Sequence, residues 1–123
     1  MTATTPPEIL VERSGLGVVT LTLNRPQVKN AIAGAMWEEL RRVFQEVTQN
    51  PADRVLVITG AGGDFCTGAD LGGVMRDAHP LDGMHPVTAA AIALNELAKP
   101  VIAKVRGAAV GAGMNLALGC DLI

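Results

Sequence analysis

Val55-Leu-Val-Ile-Thr59 is an uninterrupted apolar run, preceded by Arg54 and followed by Gly60-Ala-Gly-Gly63. Such a run predicts a strand lying inside a sheet covered on both faces. Upstream, Met36, Leu40, Val43, Phe44 and Val47 recur at i, i+4, i+7, i+8 and i+11, the apolar face of a helix that Asn50-Pro51 closes. Further upstream, Ile9-Leu-Val-Glu-Arg13 and Val18-Val-Thr-Leu-Thr-Leu23 flank Ser14-Gly-Leu-Gly17 and read as a hairpin. Downstream, Val87, Ala90, Ala91, Leu94 and Ala98 mark a second helix face, which Lys99-Pro100 stops before the strand Val101-Ile-Ala-Lys-Val105. The order β-β-α-β-loop-α-β places the chain in the α/β class. The succession of helix, proline, strand and glycine-rich loop occurs twice, which points to a structural repeat.

The 123 residues are 49% hydrophobic, 18% charged and 2% aromatic, with a net charge of -2. A chain this apolar buries a core large enough to offset the entropy of ordering it. Its basic residues are scattered and it offers almost no aromatic stacking surface, which argues against nucleic acid as a partner. The longest uncharged stretch, Gly107 to Cys120, is shorter than the roughly 20 residues that span a membrane. Met1-Thr-Ala-Thr-Thr-Pro-Pro7 has neither a basic start nor an apolar run, so residues 1–8 read as a disordered tail, and the expected location is cytoplasmic. Cys66 and Cys120 show no Cys-x-x-Cys spacing and are expected to be buried reduced thiols, and no metal-ligand spacing is present. Gly119-Cys-Asp-Leu-Ile123 begins another strand without a polar tail, which predicts that a C-terminal part of the domain follows.

Fourteen glycines invite a phosphate-loop reading, and the spacing rejects it. From Gly60 the dinucleotide pattern requires glycine at 65, where Phe65 stands; from Gly111 it requires glycine at 116, where Leu116 stands. Each loop nevertheless follows a strand, consists of small residues and precedes a helix start, so its backbone N–H groups are free. Two such groups converging on one point form an oxyanion hole; tight turns packing strands on helices are the alternative.

Three blocks in order, Leu23-Asn-Arg-Pro-Gln-Val-Lys-Asn-Ala31, Gly63-Asp-Phe-Cys-Thr-Gly-Ala-Asp-Leu71 and Lys99 to Leu122, resemble the enoyl-CoA hydratase/isomerase, or crotonase, superfamily. The resemblance runs over residues 9–123 and corresponds to the N-terminal half of that family's domain, a spiral of ββα repeats. It implies an acyl-CoA thioester whose carbonyl sits between the backbone N–H groups of Ala69 and Ala112, the family often having glycine at the latter. Coenzyme A would enter as part of the substrate, with no separate cofactor. Thr67, Gly68, Ala69, Asp70 and Leu71 match the loop lining the CoA pocket, while Arg25 and Lys29 match a block near its entrance and are expected either to meet phosphates or to form a solvated turn. Asp70 reads as the cap of a short helix starting near Leu71.

Where hydratases of the family carry glutamate, this chain has Asn115, which cannot exchange a proton near neutral pH. The resemblance puts the second acid beyond residue 123, so isomerisation by one later acid suits the chain better than hydration by a pair. A noncatalytic acyl-CoA-binding or assembly module is the alternative. Glu38, Glu39, Glu46 and Asp53 read as solvated charges, and His79 and His85 as surface residues flanking a mobile loop, Pro80-Leu-Asp-Gly-Met84. The family's habit implies a homotrimer or hexamer.

Overall fold

The computed structural model describes residues 6–70 and 80–123. Four strands, β1 (Ile9–Arg13), β2 (Val18–Leu23), β3 (Val55–Gly60) and β4 (Val101–Lys104), form one sheet in chain order. The first pair is an antiparallel hairpin in register Ile9 to Leu23. Its turn is held by the Ser14 hydroxyl oxygen, which accepts from Leu16 N and Val18 N at 3.2 Å each. The β2–β3 and β3–β4 pairs are parallel, so each needs a crossover, supplied by α1 (Gly34–Gln49) and α2 (Pro80–Asn95). A short helix, α3 (Ala112–Leu118), follows β4. Among the described residues the α/β order read from the sequence is the observed one.

Alternation decides which sheet face is buried. Val19, Leu21, Leu23, Leu56, Ile58, Val101 and Ala103 point to one side and pack with Met36, Leu40, Phe44 and Val47 of α1 and Ala90 and Leu94 of α2. Every residue of the predicted α1 face is buried. The β3 run departs from expectation: Leu56 and Ile58 are sealed, but Val55, Val57 and Thr59 are only half-buried. Among the described residues nothing covers that second face as the helices cover the first. An apolar run shows that a strand wants burial and says nothing of which segment supplies it.

Other expectations shift. Pro80–Met84, read as a mobile loop, is the start of α2, because proline at a helix N-terminus pre-sets the helical φ and its missing N–H is not needed there. His85 therefore lies exposed on that helix, while His79 falls outside the described residues. The same helix ends at Asn95, leaving Ala98 exposed in the connection to β4. Residues 1–5 of the predicted tail are outside the described region, but Pro7 and Glu8 are tied down: Asn24 Nδ2 donates to Pro7 O at 2.9 Å and Asn24 N to Glu8 O at 2.8 Å. Asp53 is buried, not solvated, and receives the Arg13 guanidinium at 3.0 Å. Leu122 bridges Ile102 in parallel, so the expected strand at the chain's end does begin to form on the free edge of β4. No helix among the described residues is long and apolar enough to cross a membrane.

Candidate functional site

The two glycine-rich loops after β3 and β4 lie side by side and are stitched together. Phe65 N and Cys66 N both donate to Ala108 O, at 3.1 and 3.0 Å, and Val110 N donates to Cys66 O at 3.0 Å. On its other side the first loop is bound to the segment before α1, with Ile32 N donating to Gly68 O and Asp70 N to Ile32 O, each at 2.8 Å. This parallel bridge engages the residues before and after Ala69 and leaves the Ala69 N–H with no backbone acceptor among the described residues. Ala112 is the first residue of α3, where an N–H has no partner within the helix. These two N–H groups, without an acceptor among the described residues, thus belong to neighbouring loops. Gly68 is what allows the approach: with φ of 111° it holds a conformation L side chains rarely adopt, and a Cβ there would stand 3.1 Å from Val110 O and 3.5 Å from Ala112 N.

Asn30 holds the assembly together, a role the sequence reading did not assign. It is fully buried in the left-handed region at φ 60°. Its Oδ1 accepts from Arg25 N at 2.9 Å, and its Nδ2 donates to Ala61 O at 2.9 Å and to Asp64 O at 2.8 Å. Asp64 Oδ1 in turn accepts from Ala108 N at 2.8 Å. The three recognised blocks are therefore joined through one asparagine and one aspartate. The signal available in the sequence was the dipeptide Asn30-Ala31 after a turn, since asparagine is the side chain that best tolerates a left-handed backbone.

The residues expected near a CoA entrance divide. The Arg25 guanidinium is largely buried and already engaged, with Glu8 at 3.0 Å, Asp70 at 3.5 Å and Ala31 O at 2.7 Å. Lys29 is exposed, and its left-handed backbone closes the turn after Pro26–Val28. Thr67 Oγ1 reaches Lys29 O at 3.3 Å, joining the two predicted segments. Leu71, and with it the helix that Asp70 was expected to cap, lies outside the described residues.

Beside the loops is a cavity of about 250 Å³, walled by Trp37 of α1, Leu94 and Asn95 of α2, and Ala112, Asn115 and Leu116 of α3. Its described walls carry no charged or titratable side chain. Asn115 occupies the helix position facing this space, and Trp37, not singled out from the sequence, forms part of the wall. Trp37 directly follows Met36 on the helix and widens the apolar stripe.

A family profile described as enoyl-CoA hydratase/isomerase matches residues 13–123. The chain belongs to this family. It is 37% identical over 125 residues to the 1,2-epoxyphenylacetyl-CoA isomerase of Escherichia coli, covering 94% of this chain and 47% of that protein. Among solved structures it superposes on the enoyl-CoA hydratase of Mycobacterium smegmatis with a TM-score of 0.85 at 38% identity, covering 94% of this chain and 46% of that one. The enoyl-CoA hydratase of Bacillus anthracis gives a TM-score of 0.83 at 33% identity, covering 94% and 46%. The chain spans about half the length of the relatives it matches, as the half-domain resemblance implies.

Both cysteines are free. Burial pushes the Cys66 thiol up, and burial first, then the neighbouring Asp121 carboxylate, pushes Cys120 up to about 11. The sign follows directly. Below about pH 8.5, where an unfolded thiol is protonated, both states hold the proton and stability is unaffected. Above that the unfolded chain ionises while Cys120 does not, so stability falls until about pH 11. Urea midpoints measured between pH 8 and pH 11 are expected to fall less steeply for Cys120→Ser than for the wild type; equal slopes would contradict this.

Proposed function

We propose that this chain binds an acyl-CoA thioester with its carbonyl oxygen between the N–H groups of Ala69 and Ala112, and that the protein stabilises the enolate formed when a proton is moved next to the thioester. The observation that carries the reading is the pair of adjacent loops, each presenting a backbone N–H that has no acceptor among the described residues, beside an apolar cavity. Donors held in place before reaction stabilise charge as it develops on the oxygen, and the α3 N-terminus adds its dipole at Ala112. Lys29, Thr67, Gly68, Asp70 and Leu71 would line the CoA path. Arg25, already paired with Glu8 and Asp70, would shape that path as well as face a phosphate.

Asn115 can orient a ligand but cannot relay a proton. The proton-moving group is then supplied by residues other than those walling this cavity, and double-bond migration through one acid fits better than hydration through two. The uncharged walls also favour a second reading, acyl-CoA binding without turnover. A homo-oligomer, trimeric or hexameric, and a cytoplasmic location complete the proposal.

Ala112→Pro is the direct test. Proline at the first helical position is compatible with a helix, removes the N–H in question and puts the ring Cδ where its hydrogen pointed, so donor and oxygen site are lost together. With crotonyl-CoA and a 3-enoyl-CoA as substrates, turnover is expected to fall about 10²- to 10³-fold with helix content unchanged. Calorimetric binding with no turnover in the wild type would establish the second reading, and absence of both would overturn the assignment to acyl-CoA.

A further inference from the structure

Cys66 is a fully buried thiol that the chemistry proposed above does not use, yet it touches both loops that carry the two N–H groups. Its Sγ accepts from Gly68 N at 3.3 Å, and its S–H donates more weakly to Gly68 O at 3.9 Å. Its main chain binds the second loop: Cys66 N donates to Ala108 O and Cys66 O accepts from Val110 N, each at 3.0 Å. What the sulfur holds matters because the peptide unit is planar. The Ala69 N–H shares a rigid plane with the Gly68 C=O and points opposite to it, so whatever fixes Gly68 fixes the aim of that N–H. Gly68 lies at φ 111°, where glycine has several alternatives of similar energy. Two contacts remove that freedom, the sulfur on its N–H and Ile32 N on its C=O at 2.8 Å. Ala112 needs no such brace, since the Gly111 C=O in its own peptide plane accepts the first helical bond from Asn115 N at 3.0 Å.

We propose that Cys66 is a positioning residue for the oxyanion hole: its sulfur, by holding the Gly68 N–H, keeps the Ala69 N–H aimed at the oxygen that Ala112 also meets. The inference rests on the acyl-CoA reading above and adds the residue that sets the aim of one donor. Burial pushes the Cys66 thiol up and so keeps the sulfur neutral, which lets it brace the loop without repelling negative charge gathering on the oxygen. A residue that merely filled the core would weaken folding when shortened and leave any bound thioester polarised as before.

The test reads the carbonyl itself. Hexanoyl-CoA labelled with 13C at the thioester carbon has no double bond to hydrate or shift, so its infrared C=O stretch can be followed in the bound state without turnover. In the wild type the stretch is expected to lie below its frequency in water. Cys66→Ala removes the acceptor and is expected to lose about half of that red shift, with affinity for hexanoyl-CoA within about twofold of the wild type. Cys66→Ser keeps an acceptor but bonds an N–H at about 2.9 Å, drawing Gly68 inward, and its stretch is expected between the other two. With crotonyl-CoA and a 3-enoyl-CoA, kcat of Cys66→Ala is expected to fall about 10- to 100-fold at nearly constant KM, as a misaimed donor acts on the transition state. Should Cys66→Ala fail to fold, the comparison of Cys66→Ser with the wild type decides. A carbonyl stretch unchanged in the folded variants, or a red shift lost only in step with affinity, would overturn the role of Cys66 and leave the acyl-CoA reading standing. Binding to the wild type with no red shift would overturn the oxyanion hole, and no binding at all would remove the acyl-CoA reading and this inference with it.

Discussion

Gly113→Ala is expected to destabilise the protein by about 3 kcal/mol and, on the function proposed above, to abolish thioester turnover, although helix propensity alone predicts a gain of about 1 kcal/mol for replacing glycine inside a helix. Gly113 is a buried residue in the first turn of α3. A Cβ built on it stands 2.2 Å from Cys66 O, 2.8 Å from Cys66 C and 2.9 Å from Cys66 Cβ. The obstruction is backbone, so no side-chain rotation relieves it. Cys66 cannot retreat either: it is fully buried, its N–H is held by Ala108 O at 3.0 Å and its carbonyl by Val110 N at 3.0 Å. The remaining adjustment lifts the start of α3 off the first loop, and that start carries Ala112. Loss of stability and loss of the Ala69–Ala112 juxtaposition are therefore one event. Urea denaturation and turnover measured together test this, with Ala112→Gly as the control. The control removes only a methyl group at a position where the family often has glycine and should cost under about 1 kcal/mol. A Gly113→Ala variant as stable as the wild type would show that the helix and loop are not in the contact described.

How much of this was legible in the sequence depends on the range of the interaction. The α1 face was readable because Met36, Leu40, Val43, Phe44 and Val47 carry their period locally, and all are buried. The strand order was readable because helix, proline and strand signals repeat. The start of α2 was not: Asp82, Gly83 and Pro86 are poor helix formers, and packing of α2 against α1 outweighs them. The engagement of Arg25 by Glu8 and Asp70 joins residues from three separate segments, and nothing at Arg25 itself announces it. Asp53 likewise reads as an exit-turn charge until β1 delivers Arg13 to it. At the site, the blocks were recognisable as blocks, but why they must occur together is a matter of tertiary hydrogen bonds, and those converge on Asn30.

Asn30→Ala is accordingly expected to be among the most damaging substitutions outside the hydrophobic core, at about 4 kcal/mol. It strands the Arg25 N–H and removes the donor serving the Ala61 and Asp64 carbonyls, each a part-buried group whose unpaired cost lies toward the lower end of about 1–3 kcal/mol. It also leaves alanine in a left-handed conformation that costs about 1 kcal/mol. Partial relaxation and water entry keep the total below the sum. Asn30→Asp separates hydrogen bonding from shape, because the carboxyl fits the same space. One oxygen can still accept from Arg25 N, but the other faces two carbonyl oxygens, an arrangement that favours the protonated acid and raises its pKa above the unfolded value of about 3.9. A group so shifted contributes its stability below about pH 4 and loses it as pH rises through the folded-state pKa. In urea titrations Asn30→Asp should therefore lie closer to the wild type at pH 4 than at pH 7, whereas Asn30→Ala should trail by a similar margin at both. A loss under 1 kcal/mol for Asn30→Ala, or a pH-independent gap for Asn30→Asp, would mean that the three blocks are held by main-chain bonds alone. The Ala69 and Ala112 donors would then owe their positions to the Cys66–Ala109 bridge and not to the asparagine beneath it.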